Sequence, residues 1–574
     1  MTRTTILALF FFIIFIPVVL SPSGCSDDGS PTPDARTDTS TTDGPVADGP
    51  VADGPVVDGP KVDGLKVDGP AVDQAASDST GVDLPGTPDQ AISDASPADA
   101  GSPTGTWALQ LGNSHKIGAD TAGNTYIAGT FTGTATFGTT TLTGPAGKTS
   151  LYLAKLDDKG AFLWVKSPAT SAGNVTLDDF TVDGGGTCFI SGLLEGTTTF
   201  GSKSLAAGGY VAKVSTAGAV AWATPVGGLG PYDYLRGVAV DGAGNSYVTG
   251  GAWTGTATLG TFTVTTKIFV AKLDASGTFV WVAQGPMNVH ASDIAADAAG
   301  NTYLGGFHKG NATLGSTTVS CSWGQCAIVA KISSSGAFVW ATSGADIDSF
   351  PSIGVDGSGG SYLAGVVKKP ISGPAIFGTQ SVTLNRNEIF VARLTSSGAF
   401  AWVQTSKSTN GSNTLTGIAV DSAGNSHITG SGSYTQIGSA TVTTSSRIYL
   451  ARLDTAGSFT WAVFPPVPTA PPCGSGSGES IALGSGGTTA HITGNFSGNV
   501  TFGSKTLSSP PRALHRHARR RQRRVLTVNS PAARTPARSR SGGPRTWRHS
   551  PCTGPSARPR WRTACPGPRC SSRR

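Results

Sequence analysis

Seven tryptophans, at positions 107, 164, 222, 281, 340, 402 and 461, recur every 57 to 62 residues. Around them, short Val/Ile/Tyr/Thr runs alternate with glycine turns, and one run in each copy, such as "FVAKL" at 269–273, is apolar on both faces. Together these observations predict an all-β fold, a seven-bladed β-propeller over residues 105–507. A fixed period of this length is read before any single motif. A four-stranded sheet covered on both faces needs sheet neighbours on both sides, which a ring of radially packed blades supplies.

Each copy opens with a hairpin. "GVAVDGAGNSYVTG" (237–250) has counterparts at 116–129, 293–306 and 417–430, with two β-rich runs joined by a Gly-Asn turn. A second hairpin follows, in which "FVAKL" and "TFVWV" flank "DASG" and Gly277 can take a positive φ. Between them lies a shorter stretch, "TATLGTFTVT" (256–265), read as an added strand or hairpin at the blade rim. First hairpins end at Gly129, Gly192, Gly250, Gly306, Gly365, Gly430 and Gly494, which sets the blade number at seven. Trp107 precedes all of them. Its segment is expected to complete the blade begun near Glu479, since a ring whose ends do not pair leaves two open edges. A large flat ring buries roughly 150–250 Å², so the recurrent Trp is read as core wedged against the neighbouring blade.

Two further positions repeat with opposite charge. Lys155, Lys213, Lys272, Lys331, Arg393 and Arg452 occupy one, and Asp120, Asp183, Asp241, Asp297, Asp356 and Asp421 the other. They are expected to form partly buried ion pairs or to share the turn's hydrogen bonds. The competing expectation is a ring of cations at one mouth, drawing an anionic glycan or lipid head group.

The ends of the chain are different material. Residues 1–25 have Arg3, an apolar run from Ile6 to Leu20, and "SPSGC", a secretory signal too short to be read as a membrane span. The Gly24-Cys25 junction resembles the lipobox of bacterial lipoproteins, which implies a diacylated Cys25. Residues 26–104 carry 16 acids, three basic residues and a five-residue "VADGP" period, so a solvated, disordered linker is expected rather than a Ca²⁺ loop. From 508 to 574 there are 18 Arg, no Lys and no acids. Without that tail the chain has 24 basic residues against 35 acids, so the formal charge of +7 belongs to the tail alone. The tail starts where the seventh copy should deliver its "FVAKL" strand. A shifted reading frame in GC-rich DNA accounts for its composition better than a phosphate-binding role. It is expected to be disordered, leaving the last blade incomplete.

The repeats, written "DGAGNSYVTG…IFVAKLDASG", resemble the seven-bladed β-propeller repeat family of bacterial surface proteins, which implies the fold and little chemistry. Ala271, Gly277 and Trp281 also resemble the Trp-docking motif of pyrroloquinoline-quinone dehydrogenases, but Asp274 stands one place late and no adjacent Cys pair or Glu-Asn-Asp set accompanies it. Docking geometry is implied, not catalysis. No cofactor, metal or catalytic residue is expected. His427 and His491 stand where other copies have Tyr and are read as packing; His115, His290 and His308 stand alone. Cys321 and Cys326, framing "CSWGQC", are expected to form a local disulfide. The function expected is an exported, lipid-anchored, monomeric, non-enzymatic module at the outer membrane or surface of a bacterium, otherwise secreted. It would bind a protein or glycan through loops at one end of the ring, touch the membrane only through its anchor, and not engage nucleic acid. One alternative is a scaffold lipoprotein of an envelope assembly complex. Another is a hydrolase or lyase with a central-channel site, which needs non-equivalent polar groups at the axis; the copies read too alike for that.

Overall fold

Each glycine-turned repeat closes as one antiparallel sheet with its strands in chain order. Blade 3 is typical: Tyr234–Val240 innermost, then Ser246–Gly251, Phe269–Leu273 and Phe279–Gln284. In the computed structural model, residues 107–508 are described apart from 112–113, 231–232, 253–254, 410–411, 444–446, 466–474 and 503–504, and so is 524–528. The chain clusters into Met1–Ala532 and Ala533–Arg574, and every described residue lies in the first unit. Cys25, the acidic linker and most of the Arg-rich tail fall outside the described residues. Among the described residues six blades have four strands and the seventh has three, and seven short rim hairpins, such as Ala257–Leu259 with Phe262–Val264, interrupt the blades between second and third strands. The inner strand of every blade touches that of the next, and Ser475–Gly484 touches Ser114–Ala119, so the ring of seven closes.

The tryptophans bind blade to blade. The indole N–H of Trp107, Trp164, Trp222, Trp281, Trp340 and Trp402 donates to a turn carbonyl of the following blade, on Asp158, Thr216, Ala275, Ser334, Ser396 and Thr455, at 2.9–3.1 Å. The ring lies on that turn's glycine. At Gly277, with φ +84°, a Cβ would stand 2.5 Å from the Trp222 ring, so both the backbone conformation and the contact require glycine. Trp461 faces the seventh blade, and among the described residues no glycine meets it.

On the same side of each blade the turn aspartate collects donors. Asp241 accepts from the backbone N–H groups of Ala243 and Asn245, the Asn245 amide and the Tyr247 hydroxyl. Burial works to raise its pKa, but those hydrogen bonds outweigh it and hold Asp241 below the usual range. The repeated cation lies over the tyrosine ring, Lys272 Nζ at 5.3 Å from Tyr247 and 3.9 Å from Asp241. Lys155–Asp120 (3.8 Å) and Arg393–Asp356 (3.3 Å) match it, while Lys213 and Lys331 sit over Phe189 and Tyr303 at 5.3 and 5.0 Å. The cations therefore belong to the blades, and the expectation of a free cationic ring at that mouth does not hold.

Blade 7 departs from the sequence reading. Arg524–Val528, within the segment expected to be disordered, pairs with Thr489–Ser497 as a third strand. Trp107 takes the outer place, 6.1 Å from His491, as Trp164 lies 6.3 Å from Tyr126 in blade 1. Residues 107–111 pack there without forming a strand. The repeat's third strand, whose cation faces Trp on the outer strand in blades 1 to 6, is missing from this copy's sequence.

Replacing Trp281 by Ala is expected to cost about 3 kcal/mol, the low end for a large ring because Trp281 is only partly buried; urea denaturation checks this. A second expectation concerns pH. Burial, with Arg452 beside His427, holds His427 and His491 down to about 4. Unfolded imidazole titrates near 6.5. The stability contributed by each neutral ring is thus complete above about pH 6.5 and is lost as pH falls toward 4, by roughly 3 kcal/mol per histidine at the lower limit. Tm should drop over that window. His427→Tyr, placing a hydroxyl near Asp421 as Tyr362 places one on Asp356, should flatten the slope and raise Tm in melts near pH 7.

Candidate functional site

The inner strands are free of ladder partners on their axial edge, so their exposed N–H groups must find other acceptors. Five of the seven carry a bulge at the same repeat position, at His115, Arg236, Ser292, Thr416 and Glu479. A bulge turns two consecutive residues toward one side: Ser292 with Asp293, Thr416 with Gly417, and Glu479 with Ser480 line the central channel. Blades 2 and 5 have Asp178 and Pro351 at that position, so seven copies carry seven different residues there. The likeness of the copies does not extend to the axis, which corrects the expectation that polar groups would not converge on it. The channel has a volume of about 420 Å³ and takes lining from every blade.

Most of these polar groups bind one another across junctions. Lys116 Nζ of blade 1 lies 2.8 Å from Asp179 of blade 2. The other Asp179 oxygen accepts from the Val238 N–H of blade 3 at 2.7 Å. Asp293 of blade 4 accepts from Ser352 Oγ (2.5 Å) and the Ile353 N–H (3.1 Å) of blade 5, and Ser480 Oγ of blade 7 from the Ile117 N–H of blade 1 at 3.4 Å. The next blade's axial N–H is thus capped by the residue four before the turn aspartate. Burial works to lower the Lys116 pKa, but Asp179, Asp293 and Asp178 outweigh it, so Lys116 is held above its ordinary value. Burial raises Asp178 and Asp293, with the neighbouring Asp179 charge adding to both.

Toward the loop-bearing mouth the arrangement changes. The Arg236 guanidinium lies 4.2 Å from the Tyr234 ring and 5.0 Å from Phe350, which comes from the loop entering blade 5. Phe350 is 55% exposed and packs on Phe307, on which His290 stacks at 4.5 Å. Burial first, then the charges of Lys309, Lys267 and Arg236, hold His290 down to about 4. Ser292 Oγ is buried without a hydrogen-bond partner.

The residues singled out by sequence lie elsewhere. The tryptophans sit at junctions, away from the channel lining. Cys321 and Cys326 are joined, closing a loop whose Trp323 is 87% exposed; Cys188 is free and buried. Among the described residues no group of three or more His, Cys, Asp or Glu could hold a metal, and no helix is long and apolar enough to cross a membrane. The axial residues were missed because the bulge breaks strand alternation. The available signal was the pair of positions four and five before the turn aspartate, which vary from copy to copy while the aspartate and the strands that follow it repeat.

Residues 221–254, from the outer strand of blade 2 to the second strand of blade 3, match the family model described as beta-propeller repeat. The match covers that one repeat, and the described residues fold as a β-propeller. No curated protein matches it. Among solved structures this propeller is similar to a streptogramin B lyase, at 11% identity over 67% of this chain and 94% of that one with a TM-score of 0.37. It is similar to the RRP9 WD40 repeats, at 10% identity over 74% and 99% with a TM-score of 0.39. A protein of unknown function from Bacteroides caccae aligns at 10% identity over 55% and 89%, with a TM-score of 0.31. At such values none of these bears on activity.

Lys116→Met should leave the Asp179 and Asp293 charges uncompensated beside each other. The side chain is 32% exposed to the channel, so screening should limit the cost to about 2 kcal/mol at neutral pH. Asp293, already raised by burial and by the Asp179 charge, would lose the opposing Lys116 charge and rise further, so the penalty should be present above its folded pKa and vanish as pH falls through it. Tm of the variant measured between about pH 7 and 4 checks the sign.

Proposed function

We propose that this protein is an exported, non-enzymatic binding module, held to the cell envelope through Cys25 and the acidic linker, that takes a glycan into the loop-bearing mouth of its channel. The observation that carries the reading is that the channel is lined at one repeat position by five different residues, Arg236, Ser292, Pro351, Thr416 and Glu479. A cavity of about 420 Å³ falls within the roughly 300–1,000 Å³ typical of ligand sites, and it suits a narrow chain end better than a folded surface. The axial acids and Lys116 are engaged with each other and with backbone N–H groups, which favours holding the ring over proton transfer to a substrate. A second reading, docking of a protein on the loop face, is supported by Trp323, an exposed aromatic on a disulfide-closed loop and the kind of anchor that dominates interfaces.

Retention of the purified chain on envelope polysaccharide, compared with Ser292→Trp and Trp323→Ala, tests both. Loss of retention on filling the channel with Ser292→Trp, with Trp323→Ala unaffected, supports the glycan reading. Unchanged retention of Ser292→Trp refutes it, and dependence on Trp323 alone moves the site to the loop face. Protease treatment of intact cells should release the propeller by cleavage within 26–104 if it is displayed outside.

A further inference from the structure

Resting on the channel reading above, we propose that Arg236 is an anion receptor and that the ligand is an acidic saccharide whose ring carboxylate it binds at the channel mouth. Three observations converge on this. First, among the described residues Arg236 has no hydrogen-bond or ion-pair acceptor: Tyr234 and Phe350 engage its guanidinium, leaving the edge N–H donors to a ligand. A guanidinium held by aromatic rings is preorganised for the parallel two-point bond that a carboxylate accepts. The nearby Asp178 is already occupied by Thr176 Oγ1 at 3.0 Å and the Leu235 N–H at 3.4 Å.

Second, Ser292 stands at the same bulge position one blade on, and its buried hydroxyl has no partner. A buried hydroxyl left unpaired costs free energy, and a ligand hydroxyl reaching past Arg236 would relieve it. Third, Phe350 presents a half-exposed ring beside the guanidinium. The C–H face of a pyranose covers such a ring, whereas a bare inorganic anion would not. A carboxylate, ring C–H groups and hydroxyls on one small rigid body match the fork, the aromatic plate and the orphan hydroxyl together. Lys309 and Lys267, whose charges act on the mouth at His290, add the sign of field that brings an anion to it.

Calorimetric titration of the full chain tests this with three probes: trigalacturonate, its methyl ester, and inorganic phosphate. The acid should bind at least about tenfold more tightly than the ester, a gap of the size one charge-assisted pair supplies, and phosphate should bind far more weakly than either. Arg236→Met should abolish the preference for the acid, Arg236→Lys should lower it about tenfold because the two-point geometry is lost, and Phe350→Ala should weaken acid and ester alike. Melting curves of each variant confirm folding, and Arg236→Lys keeps the test valid should Arg236→Met not fold. Equal binding of acid and ester, both lost on Ser292→Trp, overturns the receptor and leaves the glycan reading standing. Phosphate binding as tightly as the uronate assigns an ion site and overturns the saccharide. Absence of binding by all three probes overturns the proposal.

Discussion

The fold depends on one contact repeated from blade to blade: an indole laid on the glycine of the next blade's turn, its N–H on that turn's carbonyl. Sheet hydrogen bonds are satisfied within each blade, so they say nothing about how blades are arranged. The Trp-Gly contact does, because a flat ring meeting backbone without a Cβ permits one spacing and one orientation. Tyrosines reinforce it: the hydroxyls of Tyr303 and Tyr362 bind their own turn aspartates and also a turn carbonyl of the following blade. The cation over each ring then shields that aspartate from one side.

A second constraint acts at the axis. Seven inner strands with bare edges would line a channel with unsatisfied N–H groups, and Asp179, Asp293 and Ser480 cap them across junctions. Where the position is Gly237, the reason is space: a Cβ there would lie 2.8 Å from Ile294 of the next blade. The axis therefore holds two layers with different duties. The lower one closes the ring, and the upper one, where the bulges place Arg236 and Ser292, has donors and hydroxyls to spare.

The architecture was legible because its determinants are local and periodic. Trp281, Gly277, Asp241 and Lys272 each recur at a fixed offset, and each offset has a geometric cause visible in one blade. Even the assignment of Trp107 to the last blade could be read, since its ring takes the place on His491 that Trp461 takes on His427. The channel chemistry was not legible. A bulge adds one residue to the inner strand, so side chains that alternation assigns to opposite faces share the axis. Nor could sequence foresee Arg524–Val528 as the third strand of blade 7, because a ladder asks only for backbone and an apolar alternation, not for the repeat's own wording.

Joints arranged in a circle share load, but they do not share it equally here. Six junctions carry the docked indole, and the seventh, between blades 6 and 7, has Trp461 facing a sheet with no described glycine to receive it. On its blade 1 side the blade beyond that joint is held by Trp107, from the opposite end of the chain, together with the Ser480–Ile117 and His491–Thr125 bonds. The ring is closed, yet the joint without a docked indole gives its cooperativity an address: parting between blades 6 and 7 would turn the ring into an open spiral, while the arc from blade 1 to blade 6 would keep its docked joints.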